Sequence, residues 1–379
     1  MRGNWNYPTS VRFGAGRVAE LPAACDELGI YRPLVITDPG LAELPPTRAT
    51  LDALSDRKVG LWSGAQPNPA GADVEAGVAA YHEGDHDGVV ALGGGSAMDV
   101  AKAVALMVGQ SRPLWDFEDI GDNWTRVDED GLAPLVAVPT TAGTGSEVGR
   151  ASVIINPEQR KKAIIFHPKM LPARVICDPA LTVGLPAHIT AWVGIDALSH
   201  NLEAFCAPGF HPQADGIAVE GIRLVRAALE RAVTDGADLN ARAQMMAASM
   251  MGATAFQKGL GAMHAMAHPV GAVFGAHHGL TNAVFMPYVL RHNEAAVSER
   301  LGRLAGYIGL QPSFAAFLDW VLALREAVGI PHTAESLGLT EAGCAELAPL
   351  AAADPSGGTN PVPLTAASLE GLYRASLAG

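Results

Sequence analysis

Five of the chain's twelve histidines, His200, His264, His268, His277 and His278, fall in one stretch of the third quarter of the sequence. Imidazoles scattered over a surface would not gather in this way. Asp196 stands four residues before His200, so on a helix the carboxylate and the imidazole share a face and point at one centre. His264 and His268 repeat the spacing inside Gly261-Ala262-Met263-His264-Ala265-Met266-Ala267-His268-Pro269-Val270-Gly271, and His277-His278-Gly279 is a third piece. A single histidine on an apolar helix face is usually a core residue with one satisfied hydrogen bond. Several buried imidazoles in Ala-, Met- and Gly-rich surroundings need a shared partner. A divalent cation held by one Asp and three His would serve. Such ligands suit Fe(II), Zn(II), Ni(II) or Co(II), and residue types alone do not choose among them. No cysteine lies near, which speaks against a structural thiolate zinc site; a coordination position open to a substrate oxygen would make the metal a Lewis acid.

A second group of residues suits an anion. Gly93-Gly94-Gly95-Ser96 follows an apolar run and precedes a helical pattern. Glycines there let a backbone approach a pyrophosphate, and the helix start offers unpaired N–H groups; the same cluster also serves as a plain tight turn. It is not the G-x-G-x-x-G pattern of a standard Rossmann loop. Thr140, Thr141 and Thr144 place hydroxyls in a second Gly-rich turn, suited to ribose or phosphate. Asp38 ends an early apolar run, where a carboxylate can accept from an adenosine ribose and repel the 2′-phosphate of NADP; a turn or helix cap explains it equally well.

The elements that must position these groups change character along the chain. Pro33–Thr37, Asp87–Leu92 and Leu135–Pro139 read as buried strands, the second followed by a helical stretch from Ala97 to Val108. Strands alternating with helices predict a mainly parallel sheet, with ligands beyond the carboxyl ends of its strands. Past about Asp178 long Ala-, Leu- and Met-rich stretches at helical spacing take over, such as Ala187–Phe205, Gln213–Val233 and Asn240–Phe256. The expectation is an α/β domain over 1–184 and an all-helical domain over 185–379, packed directly with a cleft between them.

Composition sets the limits. With 49% hydrophobic and 17% charged residues the chain has ample core material, so disorder is excluded as its main state. A net charge of −13 argues against nucleic-acid binding, which feeds on clustered cations. Apolar stretches break before a spanning length, and Met1 to Asn6 lead into no apolar run, so neither a membrane segment nor a signal peptide is expected and the cytoplasm is the default. Cys25, Cys177, Cys206 and Cys344 lie far apart and read as small buried hydrophobes.

Taken together, Pro67-Asn68-Pro69, the run Gly93 to Lys102, the run Pro139 to Glu147, Gly194 to His200, Gly261 to Gly271 and His278-Gly279 resemble the iron-containing (group III) alcohol dehydrogenases, over most of the chain. The resemblance implies a dehydroquinate synthase-like architecture, with an N-terminal dinucleotide-binding α/β domain and a C-terminal helical metal domain, in a homodimer or larger homo-oligomer. It implies Asp196, His200, His264 and His278 as metal ligands, with Fe(II) first and Zn(II) second. His268 takes a catalytic position close to nicotinamide and substrate, and His277 is a neighbour of the ligands. Asp38, Asn68, Gly94, Gly95, Ser96, Thr140, Thr141, Thr144 and Lys162 match NAD-contacting positions. The implied reaction is hydride transfer between NAD(H) and a small alcohol or aldehyde. The alternatives are a maleylacetate-type reductase and a dehydroquinate synthase-like lyase, the latter requiring basic residues that the histidine segments lack. Two stretches depart from the pattern: Val148-Gly149-Arg150-Ala151, where several relatives carry Thr and a polar group near the substrate, and Asn360-Pro361-Val362-Pro363, which lacks the basic residue that often follows. Both bear on substrate choice.

Overall fold

The computed structural model describes residues 9–159 and 161–379; Met1 to Asn6, read above for a leader, lie outside the described residues. These residues form two compact units. One runs through Thr141 and resumes over Gly145–Gly184; the other takes Ala142–Thr144 and Leu185–Gly379.

The first unit contains β1 (Ser10–Phe13), β2 (Pro33–Ile36), β3 (Gly60–Trp62), β4 (Gly88–Gly93), β5 (Leu135–Pro139), β6 (Ala151–Asn156), β7 (Lys161–Phe166) and β8 (Arg174–Cys177). Its helices are α1 (Leu21–Glu27), α2 (Pro45–Ala53), α3 (Gly71–Glu83) and α4 (Gly95–Met107). Six strands make one sheet in the order β1-β8-β5-β4-β2-β3, every neighbouring pair parallel. β2, β4 and β5 are buried at every residue, which is why they read as unbroken apolar runs rather than alternations. On one face Val35, Val90, Leu92, Val136, Val138 and Ile176 pack against Leu21, Ala24 and Cys25 of α1 and against Leu54. The chain leaves β2 outward to β3 and returns to β4 on the other side of β2, so the strand order reverses between β2 and β4. The carboxyl ends flanking this switch carry Asp38 and the glycine run. Ligand crevices of open α/β sheets form at such a reversal.

β6 and β7 pair antiparallel as a separate hairpin, for which the strand and helix patterns gave no expectation. It is tied to α4 by a buried network. Asp99 accepts from Ser146 Oγ (2.6 Å) and Val153 N (3.0 Å), while Lys102 donates to Ser146 Oγ (2.6 Å), Ser146 O (3.2 Å) and the carbonyl of Ala151.

The second unit is helical: α5 (Ala187–Cys206), α6 (Pro212–Thr234), α7 (Leu239–Ala255), α8 (Ala262–Phe274), α9 (His278–Tyr307), α10 (Phe314–Ala327), α11 (Glu341–Ala352) and α12 (Ala366–Ala378). The expected helices appear as α4 to α7, with ends moved by one or two residues. α5 is buried along almost its whole length, from Thr190 to Phe205, so its polar residues must find partners inside the protein. No helix among the described residues is long and apolar enough to cross a membrane, and all four cysteines are free thiols.

Glu147, in the turn after β5, is 4% exposed and pairs with no cation within ion-pair distance among the described residues. Burial, only partly opposed by its own backbone N–H and by the charge of Lys102, pushes its carboxyl up to about 7 from 4.5. A carboxyl raised in this way binds an extra proton in the folded state between those two values. Stability therefore falls as pH rises from about 4.5 through 7. In Glu147→Gln that loss is absent, so the melting temperature of the variant relative to the parent should rise between pH 5 and pH 8, by the equivalent of at most about 3 kcal/mol. A difference that stays constant across that range in thermal melts would show the carboxylate to be satisfied where it lies.

Candidate functional site

Asp196 and His200 lie one turn apart on α5, His264 enters from the first turn of α8, and His278 opens α9. One ligand atom from each of the four lies within 4.8 Å of all the others. Asp196, His200 and His264 are almost wholly buried, and the His278 side chain retains 28% of its exposure. α9 approaches α5 closely because Gly279 has no side chain; a Cβ there would collide with the carbonyl oxygen of Trp192 and stand 3.1 Å from Asp196 Cβ.

The imidazoles are oriented from behind. His200 Nδ1 faces the carbonyl oxygen of Gly143 at 3.3 Å, and His264 Nδ1 faces Glu203 Oε2 at 2.6 Å. A carbonyl and a carboxylate only accept, so each Nδ1 carries the proton and each Nε2 keeps its lone pair for the centre. Burial, eased by Asp196 and Glu203, pulls His200 down to about 4, which keeps the ring neutral as a metal ligand must be. Burial also pulls on His264, but Glu203, Asp196 and Asp354 outweigh it and hold that ring above the ordinary histidine value.

Asn282, one turn along α9 from His278, was not anticipated. Its Nδ2 lies 2.9 Å from Asp196 Oδ1 and 3.2 Å from both His264 Nε2 and His278 Nε2. One amide nitrogen thus sits before three electron-pair donors that point the same way. A carboxylate and imidazole lone pairs converging in a buried space are the donor set a divalent cation requires, so these residues fit one.

His268 stands beside this set, not in it. Its ring stacks on His278 (centroids 5.4 Å, 16° between planes), and its Nδ1 meets Asp354 Oδ2 at 2.8 Å. Burial would raise Asp354, but the contacts with His268 and Ser356 hold its carboxyl below the usual range. Asp354 lies 86 residues away in sequence, and nothing in its neighbourhood signals the pairing. His277 packs its ring 5.0 Å from Trp192 and takes no place among the four donors.

In the α/β unit, Gly93 has φ +143°, a conformation that side chains avoid, and a Cβ there would lie 2.8 Å from Ala97 Cβ and 3.6 Å from Asp38 Oδ2. α4 starts at Gly95 with Gly94 as its N-cap and no side-chain cap, so its first N–H groups are open to an anion. Thr141 closes on Gly94, its Cγ2 only 3.2 Å from where a Cβ would be, and Thr140 N donates to Gly93 O (3.0 Å). Asp38 Oδ1 accepts from Leu41 N at 2.9 Å, so the turn-forming reading has its bond, while Oδ2 faces Gly93. Lys162 Nζ donates to Asn68 Oδ1 (3.0 Å), and Asn68 has a left-handed backbone, φ 51°. The structure thus groups Asp38, Gly94, Gly95, Ser96, Thr140 and Thr141, and separately pairs Asn68 with Lys162. Thr144 belongs to the segment that clusters with the helical unit.

A parallel sheet with an uncapped helix at its switch point is followed along the chain by a helical unit that carries an Asp-His-His-His cluster. Residues 8–179 match the family model "Iron-containing alcohol dehydrogenase", and residues 190–377 match "Fe-containing alcohol dehydrogenase family, C-terminal". The chain belongs to the iron-containing alcohol dehydrogenase family. It is 41% identical over 345 residues to 4-hydroxybutyrate dehydrogenase of Cupriavidus necator, covering 88% of this chain and 89% of that one. It is 34% identical over 361 residues to 1,3-propanediol dehydrogenase of Klebsiella pneumoniae, covering 92% of each. Among solved structures it superposes on a 1,3-propanediol oxidoreductase with TM-score 0.94 at 31% identity over the full length of both chains. It also superposes on sulfoacetaldehyde reductase from Bifidobacterium kashiwanohense in complex with NAD+, with TM-score 0.91 at 31% identity over 99% of each.

His264→Ala should lose affinity for a divalent cation and lose turnover while NAD affinity stays within about twofold, since the glycine run and the start of α4 lie in the other unit. Metal analysis and NAD titration measure both; a variant that keeps its metal and its rate would remove His264 from the centre.

Proposed function

We propose that the protein is an NAD-dependent dehydrogenase of primary alcohols, with Asp196, His200, His264 and His278 holding a divalent cation, Fe(II) first and Zn(II) second. The observation that carries this reading is the convergence of those four donors inside the helical unit. A cation bound there supplies Lewis acidity, which favours ionisation of a substrate hydroxyl, and NAD is the hydride acceptor. The chain's own residues do the rest. Glu203 and the Gly143 carbonyl hold two imidazoles in the tautomer that faces inward. Asp354 engages Nδ1 of His268, leaving Nε2 to exchange the proton released by the alcohol, so we assign His268 the proton-handling role. The bare N-terminus of α4, with Gly94, Gly95 and Ser96, receives the pyrophosphate, and Thr140, Thr141, Thr144, Asn68 and Lys162 complete the nucleotide contacts. Asp38 meets the adenosine ribose and disfavours NADP. A homodimer or larger homo-oligomer in the cytoplasm completes the proposal.

Mixing the metal-loaded protein with NAD and short primary alcohols should give net NADH, read at 340 nm. Failure to produce it with any alcohol, alongside intact NAD and metal binding, would favour the lyase alternative, which uses NAD only transiently. Reduction of an activated carbon–carbon double bond in preference to aldehydes would favour the maleylacetate-type alternative.

Within this reading we infer a substrate whose far end is a carboxylate, as in the compound named for the Cupriavidus necator relative. A carboxylate is recognised by a cation that is free of a close ion pair. Arg150 is half-buried, lies over the Phe166 ring (5.6 Å), and among the described residues forms no close ion pair, its charge reaching only the Asp119 carboxyl at longer range. Steady-state kinetics of Arg150→Ala test the assignment: the KM for 4-hydroxybutyrate should rise at least tenfold, with that for 1-butanol nearly unchanged. Equal losses on both alcohols would remove Arg150 from substrate recognition.

A further inference from the structure

α8 begins without a cap of its own. Its N-cap is Gly261, which has no side chain to accept from the first-turn N–H groups. Those groups are satisfied from elsewhere: Ala262 N donates to Asn360 Oδ1 (3.1 Å) and Met263 N to Glu203 Oε1 (2.7 Å). A Cβ at Gly261 would lie 2.9 Å from both acceptors, so a side chain here would push them off the helix start. Asn360 is itself fixed, donating to Asn293 Oδ1 (2.8 Å) and Val362 O (2.7 Å) and accepting from Asn293 Nδ2 (3.0 Å).

Glu203 does more than cap the helix. Its second oxygen receives His264 Nδ1, the residue after the one its first oxygen holds. Glu203 is 4% exposed, and its only ion-pair contact among the described residues is that imidazole. A buried carboxylate is costly without a compensating positive charge. Asp196, Glu203 and Asp354 all act electrostatically on His264, so this buried site favours a positive charge.

We propose that Glu203 is a positioning residue for the cation, acting through His264: one oxygen sets where α8 starts, the other fixes which nitrogen of His264 bears the proton, and the charge favours a cation in the site. This rests on the reading of Asp196, His200, His264 and His278 as cation ligands. Glutamine cannot replace it. Two N–H donors, Met263 N and His264 Nδ1, demand two acceptor oxygens, and an amide has one. Either the helix start or the imidazole must then face an N–H, and in the second case the His264 proton moves to Nε2, where it blocks the lone pair.

The test is Co(II) titration of the metal-stripped full-length protein, followed through the visible ligand-field bands, with NAD binding measured in parallel. Glu203→Gln should bind Co(II) 10–100-fold more weakly than the parent while NAD affinity is unchanged. Glu203→Asp, which keeps the charge but not the reach to both donors, should also bind more weakly than the parent. It carries the test if the Gln variant does not fold. Co(II) affinity equal to the parent's in either folded variant overturns the role of Glu203. A parent that binds no Co(II) at all overturns the cation reading itself, a separate result.

Discussion

A carboxylate and three imidazoles brought within 4.8 Å of one another, three of the four side chains buried, set the terms for the helical unit. Without a cation their lone pairs face each other, and the Asn282 amide alone cannot satisfy three acceptors with two hydrogens. With one, each donor finds its partner. The backbone is shaped to this end: Gly279 lets α9 close on α5, Gly261 lets the start of α8 reach Glu203, and the Gly143 carbonyl backs His200. Substitutions at these glycines would act on the centre without touching a ligand.

The α/β unit solves a different problem with the same economy. Its central strands β2, β4 and β5 are buried at every residue, so along them polar groups can emerge only at the strand ends. At the β2/β4 reversal the end of the sheet is held by the positive φ of Gly93 and by the uncapped start of α4. Asp99 and Lys102, buried one and two turns further along α4, anchor the turn at Ser146 and the hairpin strand β6. The run Gly93 to Lys102 therefore joins two tasks in one helix. Its first turn is free for an anion, and its middle is committed to structure.

This division explains what was legible in the sequence. Spacing within one element is visible from residue types, so Asp196 with His200, and the glycine run with α4, could be read directly. Buried parallel strands announce themselves as apolar runs, which is why β2, β4 and β5 were expected. Residues that act across elements leave no local trace. Asp354 meets His268 across 86 residues and Glu203 meets His264 across 61, and each looks like an ordinary helix or loop acid until the fold is known. Glu203 and Asn282 do sit at helical spacing from His200 and His278, a signal that gains meaning only once those histidines are known to converge. The hairpin β6-β7 alternates buried and half-buried residues over short strands, a weaker pattern than a central strand gives. The association of Ala142–Thr144 with the helical unit had no sequence signal, because it depends on Val193 and His200 packing on Gly143.

The departures from the family pattern gain a physical meaning from these contacts. Val362 stands where a basic residue often follows Asn-Pro, yet Asn360 is fully engaged, by Ala262, by Asn293 and by the Val362 carbonyl itself. This segment is committed to holding the start of α8 through Asn360 and the Val362 backbone carbonyl, contacts that do not involve the side chain at 362. The other departure, at 148–151, introduces Arg150, whose guanidinium lies over the Phe166 ring and whose charge partly offsets the effect of burial on the Asp119 carboxyl.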